Sequence, residues 1–410
     1  MTWVTPWSKS TCPFCFHRFH LGTAPLRITL SGGAKEKDNH VGRFLSIPAP
    51  DMGAVESPSR SLLGTLVRRF YVSETLDDKR RVCPNCHMFL PHAIASGQLA
   101  GSIVAIWGAR NSGKSNFFAV LLHALQNRYA SETGFTIFSQ ETFSVRQMKP
   151  ISSDQLYRDR YGTQLGSGMA ISQNQSAQID RDLRIPLIYR LQFPKRPIDY
   201  LLRPLSRVKA MDLVIFDAAG EDMDDPTALD QFYRYVLGAS GIIFMIDPFQ
   251  FPGIRSRLSK KDLQNYPEIG VGPIDIVSNV INLFESRGGL RVGQKIDVPV
   301  AFAFSKSDGL HGHVYATSQI HRDSQHEGGF NVSDCDRLSD EVKECLHVWD
   351  GPRLVTLIRD KFKHYRFFAL SALGQVPGEE LRITKPQPRR IADPVLWLLW
   401  KRGFLRTVKD

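Results

Sequence analysis

The stretch "SIVAIWGARNSGKSNFFAVLLHALQNR", residues 102 to 128, restricts the fold more than any other part of the chain. An apolar run that reads as a buried strand ends at Gly108, and an apolar-periodic run that reads as a helix starts just after Gly113. Between them Gly108, Gly113, Lys114 and Ser115 satisfy the spacing G-x-x-x-x-G-K-[ST]. Glycines at these positions let backbone N–H groups converge on phosphates, and the helix N-terminus adds a favourable dipole. Lys114 would reach the β and γ phosphates and Ser115 would ligate Mg²⁺. Asn111, Ser112 and Asn116 complete the cofactor-binding candidates around the loop. Arg110 stays open between a phosphate contact, a partner contact and plain solvent.

Four more runs repeat the pattern of a short apolar segment ending in polar or glycine residues: "MDLVIFDAAG", "GIIFMIDP", "VPVAFAFSKSD" and "YRFFALSALG". They are near-continuously apolar, as strands covered on both faces are. The intervening segments are long enough for crossover helices, so the spacing predicts an α/β fold with a mostly parallel sheet and helices on both faces. The polar stretch "YRDRYGTQLGSGMAISQNQSAQID" reads either as a switch loop beside the ligand or as a plain insertion. The closing "ADPVLWLLWKRGF" predicts a helix with Asp393 as N-cap and Pro394 at its first position, apolar nearly all round and so docked in a groove of its own domain. Composition divides the chain at about residue 95, into a cysteine-bearing region over 1–95 and a nucleotide-binding region over 96–410.

Three strand ends bear on which nucleotide fits. Asp217 is placed to hold Mg²⁺ through water, and the Gly220 N–H to sense a γ-phosphate. The Asp308 carboxylate can accept from both N1–H and N2–H₂ of guanine, a donor pair that adenine lacks. A backbone N–H at Ser371 or Ala372 can meet guanine O6. Taken singly, each is equally explained as a cap after a strand.

In their order and placement these segments resemble the P-loop GTPases of the translation-factor-related (TRAFAC) class, whose motifs G-x-x-x-x-G-K-[ST], D-x-x-G, [NT]-K-x-D and S-A-x each follow a strand. The resemblance spans roughly residues 101 to 400. It implies a Ras-like sheet, GTP with Mg²⁺, Lys306 beside Asp308 in the guanine motif, and hydrolysis by water attack on the γ-phosphoryl. More narrowly, "GARNSGKS", "FDAAGE", "MIDP" and "DPVLWLLW" are similar to the bacterial double-GTPase group of predicted conflict and defence systems, which implies pairing with another GTPase. Two positions depart from the pattern. Ser305 replaces Asn or Thr in the guanine motif, which shortens one brace. Glu221 stands where a water-orienting Gln is usual, as a base, a metal contact through water, or a side chain turned away. With Lys114 it is the catalytic candidate, and slow turnover is expected. The switch-one Mg²⁺ ligand falls among Thr163, Ser172 and Ser176.

"CPFC" and "CPNC" supply Cys12, Cys15, Cys83 and Cys86. Four thiolates close a tetrahedral Zn²⁺ site of the zinc-ribbon kind; free or redox thiols are the alternative. The gap from residue 16 to residue 82 is far longer than the roughly 15 to 20 residues of compact zinc sites. His17, His20, His87 and His92 read as surface residues that could each replace a thiolate, and Cys335 and Cys345 as ordinary thiols.

Six cysteines in 410 residues exclude a disulfide-dense secreted scaffold. No run approaches the roughly 18 apolar residues of a membrane span, so a cytoplasmic protein is expected. The net charge of +11 suits nucleic acid or acidic lipid, but no basic motif interleaved with aromatics is present. Three functions stay in play: a GTP-dependent switch enzyme that contacts a protein partner, a nucleotide-binding scaffold without useful hydrolysis, and a nucleic-acid-binding NTPase.

Overall fold

The computed structural model describes residues 9–29, 35–57, 79–95, 103–108, 111–162, 168–171, 185–194, 210–216, 233–266, 272–291, 293–350, 352–378 and 382–408. Seven strands form the central sheet: β1 (Ile103–Gly108), β2 (Thr136–Ser139), β3 (Leu187–Gln192), β4 (Ala210–Ile215), β5 (Gly241–Ile246), β6 (Val300–Phe304) and β7 (Tyr365–Ala369). Their spatial order is β7-β6-β5-β1-β4-β3-β2. β4, β1, β5, β6 and β7 run parallel to one another, while β3 is antiparallel to both β4 and β2. Every residue of β1, β4, β5 and β6 is buried, which explains why these runs lack a polar alternation. The fold is the expected mixed α/β one. What the apolar pattern did not disclose is that "RIPLIYRLQF" enters as the antiparallel strand and that "TIFS" adds an edge beyond it.

The helices follow the parallel connections. α1 (Lys114–Ala124) leaves the phosphate loop with Phe117, Phe118, Val120, Leu121 and Leu122 buried, and runs through a π-helical turn to Gly134, whose φ of 79° ends it. α2 (Pro273–Ser286) begins on a proline, and α3 (Val332–Trp349) is capped by the Asn331 side chain, which accepts from the Asp334 amide. α4 (Arg353–Lys361) leads into β7. α5 (Asp393–Lys401) is the closing helix, and seven of its nine residues are buried. It packs beneath the sheet as its composition requires: Trp397 lies 6.0 Å from Phe368, and a Cβ on Gly241 would meet Leu398 at 2.9 Å.

The start of α5 differs from expectation. Ala392 occupies the N-cap, and Asp393 is the first helical residue, fully buried. Its carboxylate turns inward to accept from Arg390 Nη1 at 2.9 Å and to meet His326 Nε2 at 3.2 Å. Arg390 also donates to both carboxylate oxygens of Asp334, at 2.9 and 3.0 Å. A buried charge is tolerated only when it is paired, and this one is paired twice. Part of the chain's positive charge is therefore held inside the molecule.

The N-terminal region forms small sheets, pairing Lys9–Thr11 with Arg18–His20 and surrounding Leu26–Ile28 with Val55–Glu56 and Lys79–Arg81. Its polar centre is Arg27, buried against Asp38 Oδ2 at 2.6 Å. Among the described residues no helix is long and apolar enough to cross a membrane.

Candidate nucleotide and metal sites

The parallel strands β1, β5, β6 and β7 bring their C-terminal ends to one edge of the sheet, the edge where open α/β sheets place ligands. β1 delivers Gly108 there. A Cβ on Gly108 would lie 2.6 Å from both Met245 Cβ and Met245 O, and 2.7 Å from Ser112 Oγ, so the loop leaves the sheet in contact with β5 and has no room for a side chain. Asn111 (φ 61°) and Gly113 (φ 83°) take the left-handed conformation that curls the loop. Among the described residues a Cβ on Gly113 would meet nothing within 4 Å, so this residue is a glycine for its backbone angle. Lys114 and Ser115 open α1 directly after it.

Lys114 Nζ donates to Gly108 O at 2.9 Å, which holds the ammonium at the strand end of the loop. Ser112 is fully buried, and its hydroxyl has no hydrogen-bond partner among the described residues. Asn116 is engaged elsewhere. Its amide donates to Ile171 O at 3.2 Å and accepts from Ile171 N at 2.9 Å, tying a piece of the long polar stretch to the first turn of α1. Asp217, Gly220 and Glu221 lie outside the described residues, as do Arg110, Thr163, Ser172 and Ser176.

β6 is followed by Ser305, whose amide and hydroxyl both donate to Ile246 O, at 2.9 and 3.1 Å. The shortened side chain therefore ties β6 to β5. Lys306 follows in the left-handed region with φ 55°. Its ammonium pairs with the buried Asp247 at 2.6 Å and lies 5.6 Å from the centre of the Tyr266 ring, which stacks on Phe249. Asp247 also caps the turn Pro248–Gln250 by accepting from the Phe249 amide. Burial, with the Asp308 and Asp247 carboxylates, pushes the Tyr266 phenol up and keeps it protonated.

Asp308 accepts a hydrogen bond from the Ser371 hydroxyl, which itself accepts from the Gly374 amide at 2.8 Å. Residues 63 apart in sequence thus meet, and the carboxylate is oriented by a serine that is fully buried. The Ser371 backbone amide donates to Arg389 O at 3.0 Å, and Ser371 O accepts from Arg389 N at 2.9 Å. Of the two residues read as facing guanine O6, Ser371 thus has its amide committed to the segment that carries Arg389. Asp247 and Tyr266 were missed as parts of this cluster. The one available signal was Asp-Pro after a strand, which marks a cap.

In the N-terminal region the Cys12, Cys15, Cys83 and Cys86 sulfurs lie within 4.8 Å of one another, all buried. The two knuckles have the same backbone. Cys12 N donates to His17 O and Phe16 N to Cys12 O; Cys83 N donates to Met88 O and His87 N to Cys83 O, each at 3.0 Å. Phe16 (φ 58°) and His87 (φ 56°) take the same left-handed turn. The amides of Phe14 and Asn85 donate to Cys12 Sγ and Cys83 Sγ at 3.4 Å, the kind of bond that stabilises a thiolate. The Cys12–Cys86 and Cys15–Cys83 sulfur separations are 3.8 and 3.6 Å. A disulfide needs about 2.05 Å. A tetrahedral metal with bonds of about 2.3 Å sets its sulfurs about 3.8 Å apart, so the geometry fits a closed four-thiolate site. No histidine joins this cluster. His87 instead points Nδ1 at Asp38, 2.9 Å away, and stacks on His40.

A second buried group, His326, Cys335 and Asp393, also has its ligand atoms close together. The Asn331 amide donates to His326 Nδ1 at 3.2 Å. That fixes the proton on Nε2, which faces Asp393 and leaves no lone pair there for a metal. The cluster is a polar brace under α5.

Together these features define the class: a mixed α/β protein whose central strand in a mostly parallel sheet ends in a G-x-x-x-x-G-K-S loop, joined to a four-cysteine cluster. No known family model matches the chain. It is 27% identical, over 97% of its own length and 100% of the relative's, to a Mycolicibacterium smegmatis protein described as "Putative ESX-1 scaffolding and assembly protein SaeC". Among solved structures it is similar to the signal recognition particle receptor SRb-GTP/SRX complex from Chaetomium thermophilum, at 13% identity and a TM-score of 0.29, covering 75% of this chain and 100% of that one. It is also similar to the S. cerevisiae Ski7 GTPase-like domain bound to GDP and inorganic phosphate, at 13% identity and a TM-score of 0.32, covering 74% of this chain and 50% of that one. Likenesses at that level carry no functional argument.

Proposed function

We propose that the protein is a GTP-binding switch that serves the assembly of a protein complex, with Mg²⁺ at the phosphate loop and a structural Zn²⁺ in the four-cysteine cluster. The observation that carries this reading is the convergence at one sheet edge of the Gly108–Ser115 loop with the Lys306, Asp308 and Ser371 cluster. In it, Gly113 and the amides that start α1 hold phosphate, while Lys114 and Ser115 serve the β/γ phosphates and Mg²⁺. Asp308, aimed by Ser371, accepts from guanine, and the Ala372 amide takes guanine O6. Asp217, Gly220 and Glu221 serve Mg²⁺ and the γ-phosphoryl. Hydrolysis is slow, because a glutamate replaces the usual water-orienting amide at position 221, and γ-phosphate loss releases the loops that contact a partner. The full-length similarity to a protein described as a scaffolding and assembly protein supports protein partners. The narrower placement in the double-GTPase group, with another GTPase as partner, rests on the sequence resemblance.

That same relative favours a second reading, a scaffold that holds nucleotide without turning it over. Multiple-turnover phosphate release separates the two. The prior test is titration of the zinc-replete protein with fluorescent GTP and ATP analogues in Mg²⁺, repeated with Asp308→Asn and Lys114→Ala. The expected result is a GTP preference that Asp308→Asn erases, and loss of binding in Lys114→Ala. Equal affinity for ATP in the native protein would overturn the guanine assignment, and unchanged binding by Lys114→Ala the phosphate site.

A further inference from the structure

The ladder between β1 and β4 stops early. Residues pair only at Asp212 with Ile103 and at Leu213 with Val104, although on its other side β1 pairs with β5 as far as Gly108. By the alternation of a parallel ladder, the next bond would run from Ile106 N–H to Val214 O. A phenol stands in its place. Ile106 N donates to Tyr235 Oη at 2.8 Å, and Tyr235 Oη donates to Val214 O at 2.7 Å. Tyr235 is fully buried and belongs to a helix over residues 233–238. It parts the strand that ends in the phosphate loop from the strand that precedes Asp217.

The ring that carries this hydroxyl is packed by the metal module. Phe16, in the left-handed turn of the first knuckle, lies 4.7 Å from the Tyr235 ring and 6.1 Å from that of Phe216, and Phe216 lies 5.7 Å from Tyr235. Arg18, two residues on, donates to Leu237 O at 3.2 Å, fixing the knuckle to the helix that bears Tyr235. The three rings are buried. The Phe16 backbone N–H donates to Cys12 O, which holds the residue in place, so its position follows that of the cysteines.

We propose that Tyr235 is a positioning residue: a spacer between β1 and β4 whose placement is set through Phe16 by the four-cysteine cluster, so that metal in that cluster and triphosphate at the sheet edge bind with positive coupling. The link to nucleotide rests on the function proposed above; the spacer itself does not. Because the spacer sets the distance between the loop that holds the inner phosphates and the strand that leads to Asp217, its loss should act on triphosphate with Mg²⁺ more than on diphosphate. A merely stabilising residue would shift both alike.

The test compares the native chain, Tyr235→Phe, Phe16→Leu and the chelator-treated native chain, reading fluorescent GTP and GDP analogue affinities and amide exchange at Ile106. Tyr235→Phe deletes one oxygen, and chelation changes no residue, so the test survives a folding failure of Phe16→Leu. The expected result is an altered Ile106 exchange rate in all three, with GTP affinity down about tenfold and GDP affinity down less than about threefold. An unchanged Ile106 rate and an unchanged GTP-to-GDP ratio in Tyr235→Phe overturn the proposal. If the native chain binds neither nucleotide, the functional reading fails by itself. Ile106 exchange then decides the spacer: a change on chelation supports it, and none refutes it.

Discussion

Two glycines of the phosphate loop are glycines for different reasons, and substitution should tell them apart. At Gly108 the obstacle is contact: a Cβ would sit 2.6 Å from the backbone oxygen of Met245, which cannot move without shifting β5. Gly108→Ala should therefore destabilise the protein by about 1–3 kcal/mol, as overpacking does, and displace the loop. At Gly113 a Cβ would meet no described residue within 4 Å and the cost is the φ of 83°, about 1–2 kcal/mol for an alanine. Urea unfolding measures both, and the nucleotide titration should show the larger loss for Gly108→Ala. Equal losses of stability and affinity would mean that the close approach to Met245 does not shape the loop. At this scale the sequence motifs set Asp308 and Ser371 at the ends of two strands, and in the structure the two side chains meet. At Asp247 the sequence marked only a cap, Asp-Pro after a strand, and no spacing rule announced its ion pair with Lys306 at the end of the adjacent strand.

The knuckles were readable because the constraint is local. Each Cys-Pro-x-Cys turn builds its own half of the site, so the long separation between the halves costs loop closure, which grows only slowly with length. Metal analysis should find one zinc per chain. Cys83→Ser should lose it and release the amides of residues 9–29 and 79–95 to exchange, and retention of full metal content in that variant would show that the four thiolates do not form one site. The closing helix was legible as a helix and as apolar, but its cap was misassigned. A capping residue and a buried ion-pair residue look alike when only the letter Asp is visible. Arg390, in the sequence one of many basic residues, bridges Asp334 and Asp393 inside the molecule. Arg390→Leu removes the guanidinium that two buried carboxylates share, leaving Asp393 with His326 alone, and should cost about 3–5 kcal/mol, read as a lower urea midpoint.

At the scale of the whole molecule, the parts invisible in the sequence are contacts between residues far apart along it: Phe16 on Tyr235, Arg18 on Leu237, His326 on Asp393. Hydrophobic periodicity reports which residues are buried and says nothing of what they are buried against. The two ends of the chain nevertheless set a common response to acid. Burial alone would push the Asp393 carboxyl up, but His326 and the Arg390 guanidinium outweigh it and hold the group below its ordinary value. Asp38 in the N-terminal region is likewise driven up by burial, and His87 and Arg27 bring it well below. A carboxyl whose folded value lies below its unfolded value of about 3.9 stabilises the fold fully above that pH, and the contribution disappears as pH falls through the folded value. Urea midpoints should therefore hold from neutral pH to about 4 in this respect and decline below it. Asp393→Asn should flatten the decline. Zinc content must be followed in the same samples, because protonation of the thiolates expels the metal by a separate route and at higher pH than these carboxyls titrate. If Asp393→Asn declines with the same slope as the native chain at equal zinc content, the brace under α5 is not what acid removes.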